Sequence, residues 1–150
     1  MAVLFPHQEA QMGSVNVTLT FANAVDQARA DAGEIEASAV RSVTLSDVLV
    51  DTGATYLGLP PEVIARLGLR VRSALPIRTA NGVIQARLFR DADLTVMDRS
   101  TTLDVLELPE GTPVLLGVTP MEVLGLEPDL QNRTIRLLPL GPNDTYITAL

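Results

Sequence analysis

The 150-residue chain has no cysteine and no lysine, and its one histidine, His7, lies near the N-terminus. The missing thiols exclude disulfides, thiolate zinc sites and cysteine nucleophiles. A single terminal histidine leaves almost no route to a Ser-His-Asp triad. Without lysine there is neither a Schiff base nor a P-loop cation. All eleven basic residues are arginines and face eighteen acids, for a net charge of −7. Neutralising phosphates needs a basic surface, so no nucleic-acid partner is expected. No run approaches the ~20 apolar residues of a membrane span. The opening "MAVLFPHQEA" also lacks the basic region of a secretory signal. A soluble, cytoplasmic protein with no membrane partner is the expectation, and the absence of cysteine agrees with it. The catalytic chemistry left is that of carboxylates.

A hydrophobic content of 47% in 150 residues suffices for one domain with a real core. The expected organisation is a flexible tail over residues 1–12, one domain over 13–140 and a C-terminal extension over 141–150. "SVNVTLTF" alternates, with Val15, Val17, Leu19 and Phe21 on one face, and reads as a half-buried strand. "DQARADAGEIEA" is broken by Gly33 and reads as a loop, with a strand resuming around Ile35 to Leu45. "DVLV" is a further strand, ending at Asp51. "LPPEVIARLGL" has proline at the first helical position, Glu62 in the first turn and Gly68 at the cap, which predicts a helix of about two turns. "IRTANGVIQARLF" predicts a hairpin centred on Asn81-Gly82. Two strands follow, around Asp93 to Met97 and Thr102 to Leu108. In "VLLGVTPMEVLGL", Thr119 and Glu122 form a capping-box pattern, with Pro120 first in the helix and Gly125 ending it. "RTIRLLPL" is the last predicted strand.

The stretch "VLVDTGATYLGLP" carries the chemistry. It sets an ionisable Asp51 directly after the apolar Val48, Leu49 and Val50, where a carboxylate is costly to desolvate unless something compensates. The pattern of apolar strand, glycine and proline-led helix ending in Leu-Gly-Leu recurs in "VLLGVTPMEVLGL". Superposing Gly53 on Gly117 puts Asp51 on Leu115 and Thr52 on Leu116, so only one of the two copies has an acid.

"LVDTGAT", with "LLG" at Leu115 to Gly117 and the hairpin between them, resembles the retropepsin-like aspartic proteases, in particular their single-domain cellular and prokaryotic relatives. The likeness spans roughly Val15 to Leu138. It implies an all-β fold, half of a closed acid-protease barrel with two short helices, active as a homodimer. It also implies hydrolysis of peptide bonds by a water held between two carboxylates that share a proton. With one such aspartate per chain, the second must come from a symmetry mate, because residues on the axis of an isologous interface meet themselves.

On that resemblance, Asp51 is the catalytic acid of each subunit, Thr52 braces the two loops across the axis, and Gly53 supplies an amide beside the carboxylate. Ala54 and Thr55 contact substrate from the loop. Ala80, Asn81 and Gly82 form a flap over an extended peptide, and Val83 and Leu115 help wall the subsites, with Leu57 and Ile84 as further candidates. The partners implied are a second copy and a polypeptide substrate, with no metal and no cofactor. The acid and arginine that brace retroviral members have no counterpart in "TYLG" and "VTPM".

His7, Asp47, the trio Asp91, Asp93 and Asp98, and the arginine pairs Arg70 with Arg72 and Arg87 with Arg90 read as surface or turn residues without chemistry. Two rival readings stand beside the protease. One is a catalytically silent module of the same fold that dimerises or binds peptide. The other is a β-rich structural domain in which Asp51 only caps a turn.

Overall fold

The computed structural model describes residues 15–51 and 53–138. The order of elements is β1 (Asn16–Asn23), α1 (Ala24–Asp31), a 3-10 turn (Ala37–Ala39), β2 (Ser42–Val50), β3 (Leu57–Leu59), α2 (Pro61–Leu67), β4 (Arg70–Thr79), β5 (Gly82–Val96), β6 (Arg99–Glu107), β7 (Leu115–Leu116), α3 (Val118–Leu124), β8 (Leu126–Asp129) and β9 (Thr134–Leu137). Seven strands pair in the order β1-β2-β7-β3-β6-β5-β4, and β1 also pairs with β5. That extra pairing closes six strands into a ring and leaves β4 outside it. This is the all-β, retropepsin-like fold expected from the motif. The tail and extension expected at residues 1–12 and 141–150, and His7 with them, lie outside the described residues.

Alternating apolar residues fill the ring. Leu19 and Phe21 of β1, Leu57 and Leu59 of β3, and Leu94 and Val96 of β5 are all fully buried. β5 serves two clusters because a bulge flips its alternation. The register with β6 slips between Phe89 and Ala92, where Asp91 takes φ 65°. Beyond the bulge, Ala92, Leu94 and Val96 face the main core, whereas Ala86 packs with Ile77 and Leu106 in a second, smaller cluster. A matching bulge in β2 puts Asp47 at φ 58° between the Leu19–Leu45 and Val17–Val48 pairs. Asp47 therefore sits inside a strand and does not cap a turn before one.

Several boundaries differ from the sequence reading. Residues 24–31 are helical, not a loop, so the described residues hold three α-helices where two were expected. The Asn23 side chain accepts from the Asp26 amide to start α1, and Gly33, at φ 77°, lies beyond the helix instead of breaking it. The strand expected from Ile35 begins only at Ser42, after the 3-10 turn, and runs unbroken into "DVLV". Asp93 to Met97 is no separate strand; it is largely the far half of β5, which ends at Val96. The hairpin expected at Asn81-Gly82 turns one residue early. Thr79 pairs with Gly82, so the connection is Ala80 and Asn81, with Gly82 at φ 111°.

α3 begins at Val118 with Gly117 as its cap and no side-chain cap bond, so the Thr119–Glu122 capping box does not form. The first-turn amides are already engaged. Val118 N–H donates to Ala54 O at 2.8 Å, Thr119 N–H donates to Thr55 O at 3.2 Å, and Pro120 has no N–H to satisfy. α2 behaves as its sequence predicts: Pro61 opens it and Gly68 closes it in the left-handed conformation, φ 64°.

Candidate active site

β2 runs parallel to β7, with Leu49 opposite Leu115 and Val50 opposite Leu116. The two copies of the strand-glycine-helix pattern thus lie side by side. Asp51 N–H donates to Leu116 O at 3.0 Å, so the ladder continues into the residue that carries the carboxylate. The chain then turns tightly, and Ala54 N–H returns to Asp51 O at 3.1 Å. The loop after Asp51 is held to α3 by the Ala54–Val118 and Thr55–Thr119 backbone bonds.

Gly117 makes this approach possible. A Cβ on it would lie 2.5 Å from Tyr56 O and 2.8 Å from Ala54 O, inside contact distance of main-chain atoms. The sequence reading placed Gly117 in the motif through its "LLG" pattern, and the structure supplies the reason a side chain is barred there.

Among the described residues three polar ones are buried: Asn23, Asp26 and Asp51. The first two are fully engaged. Asn23 Nδ2 donates to Leu67 O at 2.9 Å and its Oδ1 accepts from Asp26 N at 3.0 Å. The Asp26 carboxylate accepts from Arg41 Nε at 2.7 Å, Nη2 at 2.9 Å and backbone N at 3.0 Å. These Arg41 side-chain hydrogen bonds, foremost among the causes, lower the Asp26 pKa from 3.8 to about 2. This brace ties α1, the start of β2 and the end of α2 together, and nothing in the sequence reading anticipated it.

Asp51 is different. It is 4% exposed, and Gly53 N–H donates to its Oδ1 at 2.9 Å. Its Oδ2 is buried and accepts no hydrogen bond among the described residues. A buried acceptor without a donor costs about 1–3 kcal/mol and calls for an explanation. Thr52, expected to brace the loops, lies outside the described residues.

Beside the loop is a cavity of about 210 Å³, walled by residues 54–56, by Leu115 of β7, and by residues 75–78 of β4. It brings together Ala54, Thr55 and Leu115 from the expected substrate-binding set. The Asp51 carboxylate is not part of its lining. Ala80, Asn81, Gly82 and Val83 sit at the exposed hairpin tip and do not line it. Leu57 is buried in the main core and Ile84 packs against the smaller cluster. Tyr56, Ile77, Arg78 and Leu106 line the cavity and were missed. The alternation of Leu75 and Ile77 in "ALPIRT" was the available signal for the β4 wall.

Of the arginines set aside in the sequence, three pair on the surface, whereas Arg90 is partly buried and its Nε has no hydrogen-bond partner among the described residues. Arg70 meets Asp91, Arg72 meets Asp104 and Arg87 meets Glu107. Asp93 accepts from the Thr102 hydroxyl. Among the described residues no group of three or more histidines, cysteines and acids could hold a metal ion. None of the described helices is long and apolar enough to cross a membrane.

No curated protein matches the chain. A model of the family described as "gag-polyprotein putative aspartyl protease" matches residues 39–122, from the approach to β2 through the first turn of α3. That span includes Asp51, the loop, the flap hairpin and Gly117, and the chain belongs to this family.

Proposed function

We propose that this chain is an aspartic endopeptidase that works as a homodimer, with one Asp51 from each subunit at the twofold axis. The observation that carries the proposal is the buried Asp51 Oδ2, which lacks a hydrogen-bond partner among the described residues. Asn23 and Asp26 are buried for structural reasons and use their polar atoms fully. Asp51 keeps an oxygen in reserve. A second carboxylate and a shared proton would satisfy that oxygen, and the residues matching Asp51 and Thr52 in the second copy of the motif, Leu115 and Leu116, cannot provide them.

In the proposed reaction one carboxylate is ionised and takes a proton from the water between the pair. The water oxygen bonds to the carbonyl carbon of the peptide. The other carboxyl gives its proton to the carbonyl oxygen, forming a neutral gem-diol. Collapse breaks the C–N bond as a proton passes to the leaving nitrogen, releasing an acid and an amine. Gly53 N–H holds Oδ1 in place, which leaves Oδ2 as the oxygen free to share the proton. Thr52 braces the loops, and residues 80–83 close over the peptide. Ala54, Thr55 and Leu115 border the cavity that receives a substrate side chain.

The test is cleavage of a mixed peptide library by the wild type and by Asp51→Asn, at several protein concentrations. The amide has the same shape but cannot exchange the proton, so cleavage is expected to vanish while the fold remains. Specific activity should fall on dilution as dimers separate. Cleavage retained by Asp51→Asn, or activity per subunit unchanged below a demonstrated dimer dissociation constant, overturns the proposal.

A further inference from the structure

Among the described residues eleven line the cavity beside the Asp51 loop, and Arg78 is the only charged one of them. Six arginines in the described residues form ion pairs, with Glu34, Asp26, Asp91, Asp104, Glu107 and Glu127. Arg78 makes no ion pair or side-chain hydrogen bond with any described residue. Arg66, Arg90 and Arg133 likewise form no ion pair among the described residues, so what sets Arg78 apart is its place in the cavity lining. An unpaired guanidinium at an otherwise uncharged cavity gives this one spot the opposite sign from the protein as a whole. Arg78 is also next to Ile77, whose side chain is buried against Ala86 and Leu106, so the strand that holds it is anchored.

We infer that Arg78 selects acidic peptides: an aliphatic side chain enters the cavity between Ala54, Ile77 and Leu115, and a Glu or Asp close by in the same segment pairs with the Arg78 guanidinium. In an extended peptide, residues i and i+2 lie on one face roughly 7 Å apart, within reach of an arginine side chain. A guanidinium matches a carboxylate with two parallel hydrogen bonds, a geometry no neutral side chain reproduces. The inference deepens the proteolytic reading by naming its substrate class, and rests on that reading only where turnover is the readout.

Two pools of fluorescein-labelled octapeptides test it. Both are random except for a central Leu and a residue two positions to either side, which is Glu in one pool and Gln in the other. Binding is measured by anisotropy on the full-length Asp51→Asn protein, where no cleavage intervenes, and initial cleavage rates are measured on the wild type. The Glu pool should bind tighter by roughly three- to tenfold at low salt, the range for a partly exposed charged hydrogen bond. The ratio should shrink toward one near 0.5 M NaCl as screening sets in. It should fall to one in Arg78→Met, stay above one in Arg78→Lys, and drop below one in Arg78→Glu.

Equal binding of the two pools, binding of neither pool, or a ratio that survives Arg78→Met overturns the inference. Charge-selective binding without any cleavage by the wild type would sink the protease and leave the acidic-peptide site standing. Asp51-dependent cleavage with no charge preference would do the reverse.

Discussion

Gly117→Ala is the sharpest structural perturbation available near the site. Gly117 has φ −85° and ψ −175°, which any residue adopts, so backbone strain is not the issue. The cost is steric. The new methyl would lie 2.5 Å from Tyr56 O, 2.8 Å from Ala54 O and 2.9 Å from the Thr55 carbonyl carbon. Carbon–oxygen contacts settle at roughly 3.3 Å or more, so the loop must retreat by about 0.5–0.8 Å. That movement pulls on the two bonds that join loop to helix, Val118 N–H to Ala54 O and Thr119 N–H to Thr55 O. Losing them costs about 1 kcal/mol each, and the overpacking adds about 1–3 kcal/mol where relief is incomplete. The expected destabilisation is about 2–5 kcal/mol, read as a lower midpoint in urea at fixed protein concentration. Gly33→Ala is the control. Its Cβ meets nothing within 4 Å, and its φ of 77° costs only about 1–2 kcal/mol. Because the same movement displaces the residues after Asp51, Gly117→Ala should also lose peptide cleavage. A Gly117→Ala protein within about 0.5 kcal/mol of wild type would refute the account of how loop and helix are joined.

The Asp26–Arg41 brace makes stability depend on pH in a defined window. The folded pKa of Asp26 is about 2, below its ordinary 3.8, so its contribution is fully present above about pH 4 and is lost as pH falls through 2. Arg41 is half-exposed and solvent weakens the pair, so the loss is at most about 2 kcal/mol. Comparing urea midpoints of wild type and Asp26→Asn between pH 5 and 2 isolates it; parallel curves would refute it. Gly68→Ala strikes the same brace from the other side. Its Cβ would collide with the Arg41 guanidinium, and φ 64° disfavours any side chain. A destabilisation larger than that of Gly33→Ala is expected in thermal or urea melts, and one no larger would mean that Arg41 swings aside freely.

The parts of this molecule that local chemistry dictates are readable in the sequence. Pro61 and Gly68 bracket α2, alternation marks β1, and an acid after Val48, Leu49 and Val50 marks the site. The parts that escape are decided by distant partners. α1 starts where it does because Asn23 is pinned to Leu67 O across the fold. The capping box at Thr119 is pre-empted because Ala54 and Thr55, more than sixty residues earlier, already hold the first-turn amides. The bulges at Asp47 and Asp91 put non-glycine residues at positive φ, where composition gives no warning. The second wall of the cavity escapes for a similar reason, since Arg78 becomes part of a site only when β4 folds back across β5 and β6.

β4 lies outside the closed ring, so among the described residues one of its edges has no strand beside it. Such an edge is a template on which copies of a protein can stack into aggregates. This one is guarded by its own sequence, "RVRSALPIRT". Pro76 withholds an amide from the ladder, and the charged side chains of Arg70, Arg72 and Arg78, the first two held by Asp91 and Asp104, would have to be desolvated by any copy stacking there. The edge therefore discourages self-association into fibrils.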